Sequence, residues 1–169
     1  MPFVRTLAPL LLAAALLMLA ACGYSVGGAG DRSVLGPEFR TLAISGVDNP
    51  TTLPWLEPRI RSLLRDELTR RGAITWTDSR NRADALIHVT IHKYFRPTAV
   101  EGARDQTLRS SAIFQFSVDI TSATDSSVVW RSGQISQAWP FFSGQEDEAD
   151  AEVTSLGIRR LADLMEQNY

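Results

Sequence analysis

Two histidines, scattered carboxylates and one cysteine are the residues of this chain whose chemistry calls for a test. His88 and His92 stand four apart, and on a helix that spacing is half a zinc site. Here they fall in an alternating stretch that reads as a strand, where four residues span about 13 Å. Both rings then share a face without sharing a metal. Asp84, Asp119 and Asp125 lie in different elements, and nothing pairs them as acid and base. Ser143-Gly144 sits in a loop with no recognisable histidine and aspartate partners. There is no GxSxG elbow, no P-loop, no GxGxxG turn and no paired CxxC. The expectation is a protein without catalytic, metal or cofactor chemistry. What remains is Cys22, the one cysteine among 169 residues, which rules out an intramolecular disulfide.

The surroundings of Cys22 explain a solitary thiol. Arg5 precedes an apolar run from Leu7 to Ala21, about 15 residues long. That is short for a membrane span, which needs about 20 apolar residues, and Pro9 interrupts it. A basic start, an apolar middle and small residues at the end describe a secretion signal over residues 1–21. Its end, Leu19-Ala20-Ala21-Cys22, resembles the lipobox of bacterial lipoproteins. That resemblance implies a diacylglyceryl group on the thiol, cleavage before Cys22 and an N-acyl chain on the new terminus. Two or three acyl chains hold a membrane firmly, at about 0.8 kcal/mol per buried methylene. Gly23 rather than Asp after the cysteine resembles the sorting signal for the outer membrane.

Residues 22–37 carry the expected lipid and a tether, with five glycines between Gly23 and Gly36. Fully extended, the tether reaches roughly 50 Å at most. Residues 38–169 are long enough for one domain with a real core. The net charge of −2 suits neither a nucleic-acid binder nor an acidic tail.

The elements follow from periodicity. Phe39–Val47 reads as a strand, closed by the turn cluster Asp48–Thr52. Leu56, Ile60, Leu63, Leu64 and Leu68 recur at helical spacing. Pro58 confines the helix start to Trp55–Glu57, and Gly72 ends it. Glu57–Arg61, Asp66–Arg70 and Glu67–Arg71 are acid-before-base pairs four apart. Ile74–Thr77 is a short strand or extended connection. A long strand begins at Ala85, with Ile87, Val89, Ile91 and Phe95 inward and His88, Thr90, His92 and Tyr94 outward. After a polar connection over 96–109 comes a second, with Ala112, Phe114, Phe116, Val118 and Ile120 inward. Val128–Ala138 reads as a third strand, and Pro140–Gln145 as a loop. The last helix opens on the acidic residues 146–150, which suit its positive end. Val153, Gly157, Leu161, Leu164 and Met165 are its inner stripe. The expected fold is α+β, a two-layer sandwich: a mostly antiparallel sheet of about four strands with two helices on one face.

Cys22-Gly23-Tyr24 after a lipobox resembles the mature start of the LPS-assembly lipoproteins of the LptE family. Leu42-Ala43-Ile44 with Asn49-Pro50-Thr51, Leu56-Glu57, Leu64 with Glu67-Leu68, Ala83–Ile87 and Val129-Trp130 continue the likeness. Ser25-Val26-Gly27 departs from it, because the family often has a basic residue there. The resemblance implies an outer-membrane lipoprotein, lipid-anchored on the periplasmic side, that plugs the large β-barrel LptD. It would assist the barrel's assembly and take part in lipopolysaccharide transport to the cell surface. The polar sheet face (His88, Thr90, His92, Gln115, Ser117, Asp119) suits a wet barrel lumen and equally suits bulk solvent. The resemblance also points to Lys93, Arg96, Arg104 and Arg109 as lipopolysaccharide contacts, since arginine forks match phosphate. Glu101 and Asp105 among them equally suit an ordinary solvated surface. An alternative is a lipoprotein that activates a peptidoglycan synthase, as LpoB does. Those domains typically ride on much longer, proline-rich tethers. A secretion-channel subunit would need a membrane-spanning hairpin, and none is evident. On sequence, Trp139-Pro140-Phe141-Phe142 is the candidate exposed aromatic contact.

Overall fold

The computed structural model describes residues 34–72, 74–101 and 107–166. The expected signal over 1–21, Cys22, residues 23–33 of the tether and Arg104 lie outside these residues. Residues 34 and 35, at the end of the expected tether, dock on the domain. Val34 N–H donates to the Met165 carbonyl at 2.8 Å, and Leu35 is 6% exposed within the core.

Strand β1 (Thr41–Asp48) leads into a turn organised by Asn49, whose side chain accepts from Thr51 and donates to the Leu53 carbonyl. Helix α1 (Leu56–Arg70) follows, and β2 (Thr75–Trp76) returns parallel to the start of β1. A short 3-10 turn (Arg80–Arg82) precedes β3 (Ala85–Phe95), which also pairs parallel with β1. Strands β4 (Thr98–Glu101), β5 (Thr107–Ser122), β6 (Val128–Arg131) and β7 (Ile135–Phe141) complete the sheet, and α2 (Glu146–Glu166) closes the chain. The α+β class, the mainly antiparallel pairing and the two helices are as expected from sequence. Among the described residues the sheet has seven strands, more than the expected number of about four.

The extra strands have local causes. The expected third strand is broken near Gly133, whose φ of +66° suits a residue without Cβ, so β6 and β7 are separate. Part of the polar connection after β3 becomes β4, lying along β5. The 16-residue β5 is the spine: β3 and β4 pair along it, and β6 and β7 pair with it too. Pro140 does not end β7, which runs to Phe141. Ser111 N–H donates to the Pro97 carbonyl at 3.2 Å on the other side of β5, so its register partner Pro140, which has no N–H, stands where the pairing does not need one.

One face of the sheet carries the core. Leu42, Ile87, Val89, Ile91, Phe114, Phe116 and Ile120 are all buried beneath Leu56, Ile60 and Leu64 of α1 and Ile158 and Leu161 of α2. Phe114 and Phe116 stack with centroids 4.6 Å apart. Helix α2 can approach them only because residue 157 is glycine. A Cβ there would meet carbons of both rings at 3.0 Å. Along α2 the stripe is buried at Val153, Gly157, Leu161 and Met165 as expected, with Ile158 and Ala162 added and Leu164 only partly covered.

Arginines tie the helices together. Arg71 reaches Glu67 at 2.9 Å, Asp163 at 2.7 Å and Glu166 at 2.8 Å. Arg59 donates to Thr154 of α2 at 2.8 Å. The expected pairs Glu57–Arg61 and Glu67–Arg71 form. The expected Asp66–Arg70 pair does not: Arg70 turns to Glu67 at 2.5 Å, and Asp66 accepts from Ser62. Glu67 is nearly buried, so it concentrates both guanidiniums on one carboxylate.

Candidate functional site

The side of the sheet away from the helices is the surface to examine first, because apart from Ala43 and Leu86, which are buried, its residues keep partial access to solvent. Strand alternation places His88, Thr90, Gln115, Ser117 and Asp119 there, as expected. Neighbouring strands join these groups into short polar rows. His88 Nε2 lies 2.9 Å from Asp48, and His92 Nε2 lies 2.9 Å from Ser117. Gln115 donates to Ser136 at 3.4 Å, and Arg131 Nε approaches Asp119 at 3.4 Å. The close backbone approach beside His88 is made by Gly46, where a Cβ would lie 3.0 Å from the imidazole. The two histidines take different partners, and no metal-holding group of three or more His, Cys, Asp or Glu exists among the described residues.

At one end of this face the alternation slips. The register of β3 against β5 shifts between Ile91 and Lys93, so two residues oppose one. Beyond the bulge the expected directions reverse. Tyr94 packs into the core opposite Phe114, while Phe95 pairs across Ile113. With Ala138 opposite Ile113, these make an apolar row over three strands, and the Lys93 ammonium sits 4.1 Å from the Phe95 ring centre.

The slip brings together a cluster that alternation alone does not suggest. Tyr94 O–H donates to Asp150 Oδ1, and Arg96 Nη2 donates to Asp150 Oδ2 at 2.6 Å. Trp55 packs edge-on against Tyr94, with centroids 5.6 Å apart. Asp150 is 8% exposed, the least accessible of the acidic residues that open α2. Burial pushes the Tyr94 hydroxyl well above its ordinary value, and its bond to the Asp150 carboxylate adds to that. Burial alone would lower the Arg96 guanidinium, but Asp150 and Tyr94 outweigh it and raise it. The acidic start of α2 was read from sequence as a complement to the helix dipole. The available sign of something more was spacing: Asp150 lies on the stripe of Val153, Gly157 and Leu161.

The four cations singled out from sequence therefore separate. Lys93 and Arg109 are exposed. Arg96 is drawn to the helix layer by Asp150. Arg104 lies outside the described residues. The helix arginines are largely occupied by Glu57, Glu67, Asp78, Asp163 and Glu166. The aromatic run 139–142 divides as well. Phe141 is buried and Trp139 packs against the core, while Phe142 is 61% exposed.

A family model described as LptE, lipopolysaccharide-assembly, matches residues 39–167. The chain belongs to that family. The match takes in every element of the fold, from β1 to α2. No curated protein sequence matches the chain. Among solved structures it is similar to an uncharacterized lipoprotein B from Nitrosomonas europaea, 10% identical with a TM-score of 0.52 over 73% of this chain and 79% of that one. It is also similar to the PelC dodecamer from Paraburkholderia phytofirmans, 12% identical, TM-score 0.53, covering 77% and 89% of the two chains. A hypothetical protein of Chlamydia trachomatis is 11% identical, TM-score 0.53, covering 75% and 95%. At these identities the shared property is the fold. Membership of the LptE family places this chain in lipopolysaccharide assembly. Among the described residues no helix is long and apolar enough to cross a membrane.

Proposed function

We propose that this protein is a lipid-anchored outer-membrane lipoprotein that plugs an LptD-like β-barrel and takes part in delivering lipopolysaccharide to the cell surface. In this reading residues 1–21 are removed, Cys22 carries the acyl chains, and the protein is not an enzyme. The observation that carries the plug is the uncovered sheet face, whose cross-strand polar pairs leave it hydrogen-bonded yet wettable. Such a face can line a water-filled lumen without the desolvation that an apolar interface would require.

The fold supports a direction for the domain. The chain enters beside Met165, at the C-terminal end of α2. The Tyr94–Asp150–Arg96 cluster lies near the opposite end, roughly 22 Å away along the axis at about 1.5 Å per residue. A membrane anchor at the first end leaves the second, with Lys93 and Arg109 exposed, free to reach into a barrel. Those two cations are the lipopolysaccharide contacts this reading favours, because Arg96 is already engaged by Asp150.

The deciding experiment is purification of the full-length lipoprotein from detergent-solubilised outer membranes. A stoichiometric large β-barrel that survives high salt is the expected result. Recovery of a peptidoglycan synthase instead, or of the lipoprotein alone, overturns the plug.

A further inference from the structure

A groove of about 450 Å³ opens beside the two-residue edge strand β2. It is lined by Thr41, Arg65, Trp76, Thr77, Asp78 and Arg82. Its elements have independent reasons to be there. Helix α1 supplies Arg65, the brevity of β2 turns the chain out at Thr77-Asp78, and the 3-10 turn supplies Arg82.

Arg65 is held in place from two sides. Its Nη2 donates to Asp78 at 2.5 Å, and its guanidinium carbon lies 5.8 Å from the Trp76 ring centre. Trp76 is itself fixed, because its indole N–H donates to Thr69 at 3.0 Å. Asp78 is the only carboxylate among the described residues that line the groove, and its side chain is 83% exposed. Two guanidiniums and one carboxylate give the lining side chains a surplus positive charge, with the Asp84 carboxylate beside them held by Thr41 N–H at 2.7 Å. A carboxylate that solvent reaches so freely can swing out, and the Arg65 fork then remains oriented by Trp76. Two planar donor forks around one tetrahedral oxyanion is a pattern arginine serves better than lysine.

We propose that this groove is a phosphate-binding site in which Asp78 is the resident competitor for the two arginines. The ligand class is a phosphate ester: the groove admits the phosphate with a small polar substituent, and Thr41 and Thr77 line the space around it. The site does not depend on the barrel or on the contacts proposed for Lys93 and Arg109.

The test uses the full-length lipidated chain in neutral detergent micelles, titrated with inorganic phosphate while the arginine Nε–H resonances are followed by NMR. Saturable shifts confined to Arg65 and Arg82 are expected. Asp78→Asn removes the competitor and tightens binding several-fold, whereas Arg82→Ala weakens it by about tenfold. Both positions are exposed, so the fold tolerates either change. Shifts that do not saturate, or an Asp78→Asn variant that binds no tighter than the parent, overturn the site. Doping the micelles with phosphatidylglycerol, against adding soluble glycerol phosphate, then separates a lipid headgroup from a free ester. A response to either source, weakened by about tenfold in Arg82→Ala, sustains the proposal.

Discussion

The two faces of the sheet are made by the same strands, one residue apart, and they do opposite jobs. On the covered face, Ile87, Val89, Phe114, Phe116 and Ile120 are almost wholly removed from water beneath both helices. On the other, His88, Thr90, Ser117 and Asp119 alternate with them and meet short polar partners from neighbouring strands. Burial of apolar area contributes roughly 25 cal/mol per Å², while exposed polar pairs contribute about 0–1 kcal/mol each. Stability is therefore concentrated on one side, and the other is left free to be shaped by a partner. The proposed plug would need this separation.

The comparison can be broken most forcefully at Phe116. Replacing it with Ala removes half of the stacked pair and is expected to cost about 3–5 kcal/mol, read by urea denaturation. His92→Ala, on the opposite face, is expected to change stability by no more than about 0.5 kcal/mol in the same experiment. Equal losses would mean that the uncovered face is not the idle one. A smaller cost is expected from Gly157→Leu, about 1–3 kcal/mol, because the Cβ alone would press on the Phe114 and Phe116 rings at 3.0 Å, closer than ordinary contact, and the helix must shift to admit the rest. A melting temperature equal to the parent's would show that α2 can move off the sheet.

Acid sharpens the same contrast without a change of volume. Burial would raise the Glu67 carboxyl, but hydrogen bonds from Arg70 and Arg71 overcome it and hold the group below its ordinary value of 4.5. A depressed carboxylate stabilises the fold above that value and loses its contribution as pH falls through the folded pKa. The parent is thus expected to lose stability more steeply than Glu67→Gln once pH drops below about 4.5. Identical acid limbs would remove Glu67 from the clamp. The smallest effect on stability is expected from Lys93→Ala with Arg109→Ala, which leaves the melting curve in place while lowering lipopolysaccharide retention several-fold. Arg96→Ala is expected to lower the melting temperature instead, since it strips Asp150 of its cation. A reversal of those two outcomes would exchange their roles.

Much of this could be read along the chain. Two periods, 3.6 and 2, identified α1 and α2 and the inward residues of β5, because amphipathic elements must turn one stripe to a common core. Pro58 and Gly72 marked the ends of α1 within a residue or two, since each restricts the backbone locally. The polar residues of the uncovered face were legible for the same reason. The candidate cations were legible as charges but not as partners.

What escaped was set by contacts between distant segments. Nothing local announces the bulge at His92, which reverses Tyr94 and Phe95 and so delivers Tyr94 to Asp150, 56 residues away. Arg70 had carboxylates at three and four residues' distance, and only the packed helix pair decided for Glu67. The parallel pairing of β1 with both β2 and β3 likewise depends on where α1 crosses the sheet. Local propensity and periodicity determine which face of each element is apolar. Register, ion-pair choice and the fate of Arg96 are decided only when those faces meet, because each depends on a partner supplied by the fold.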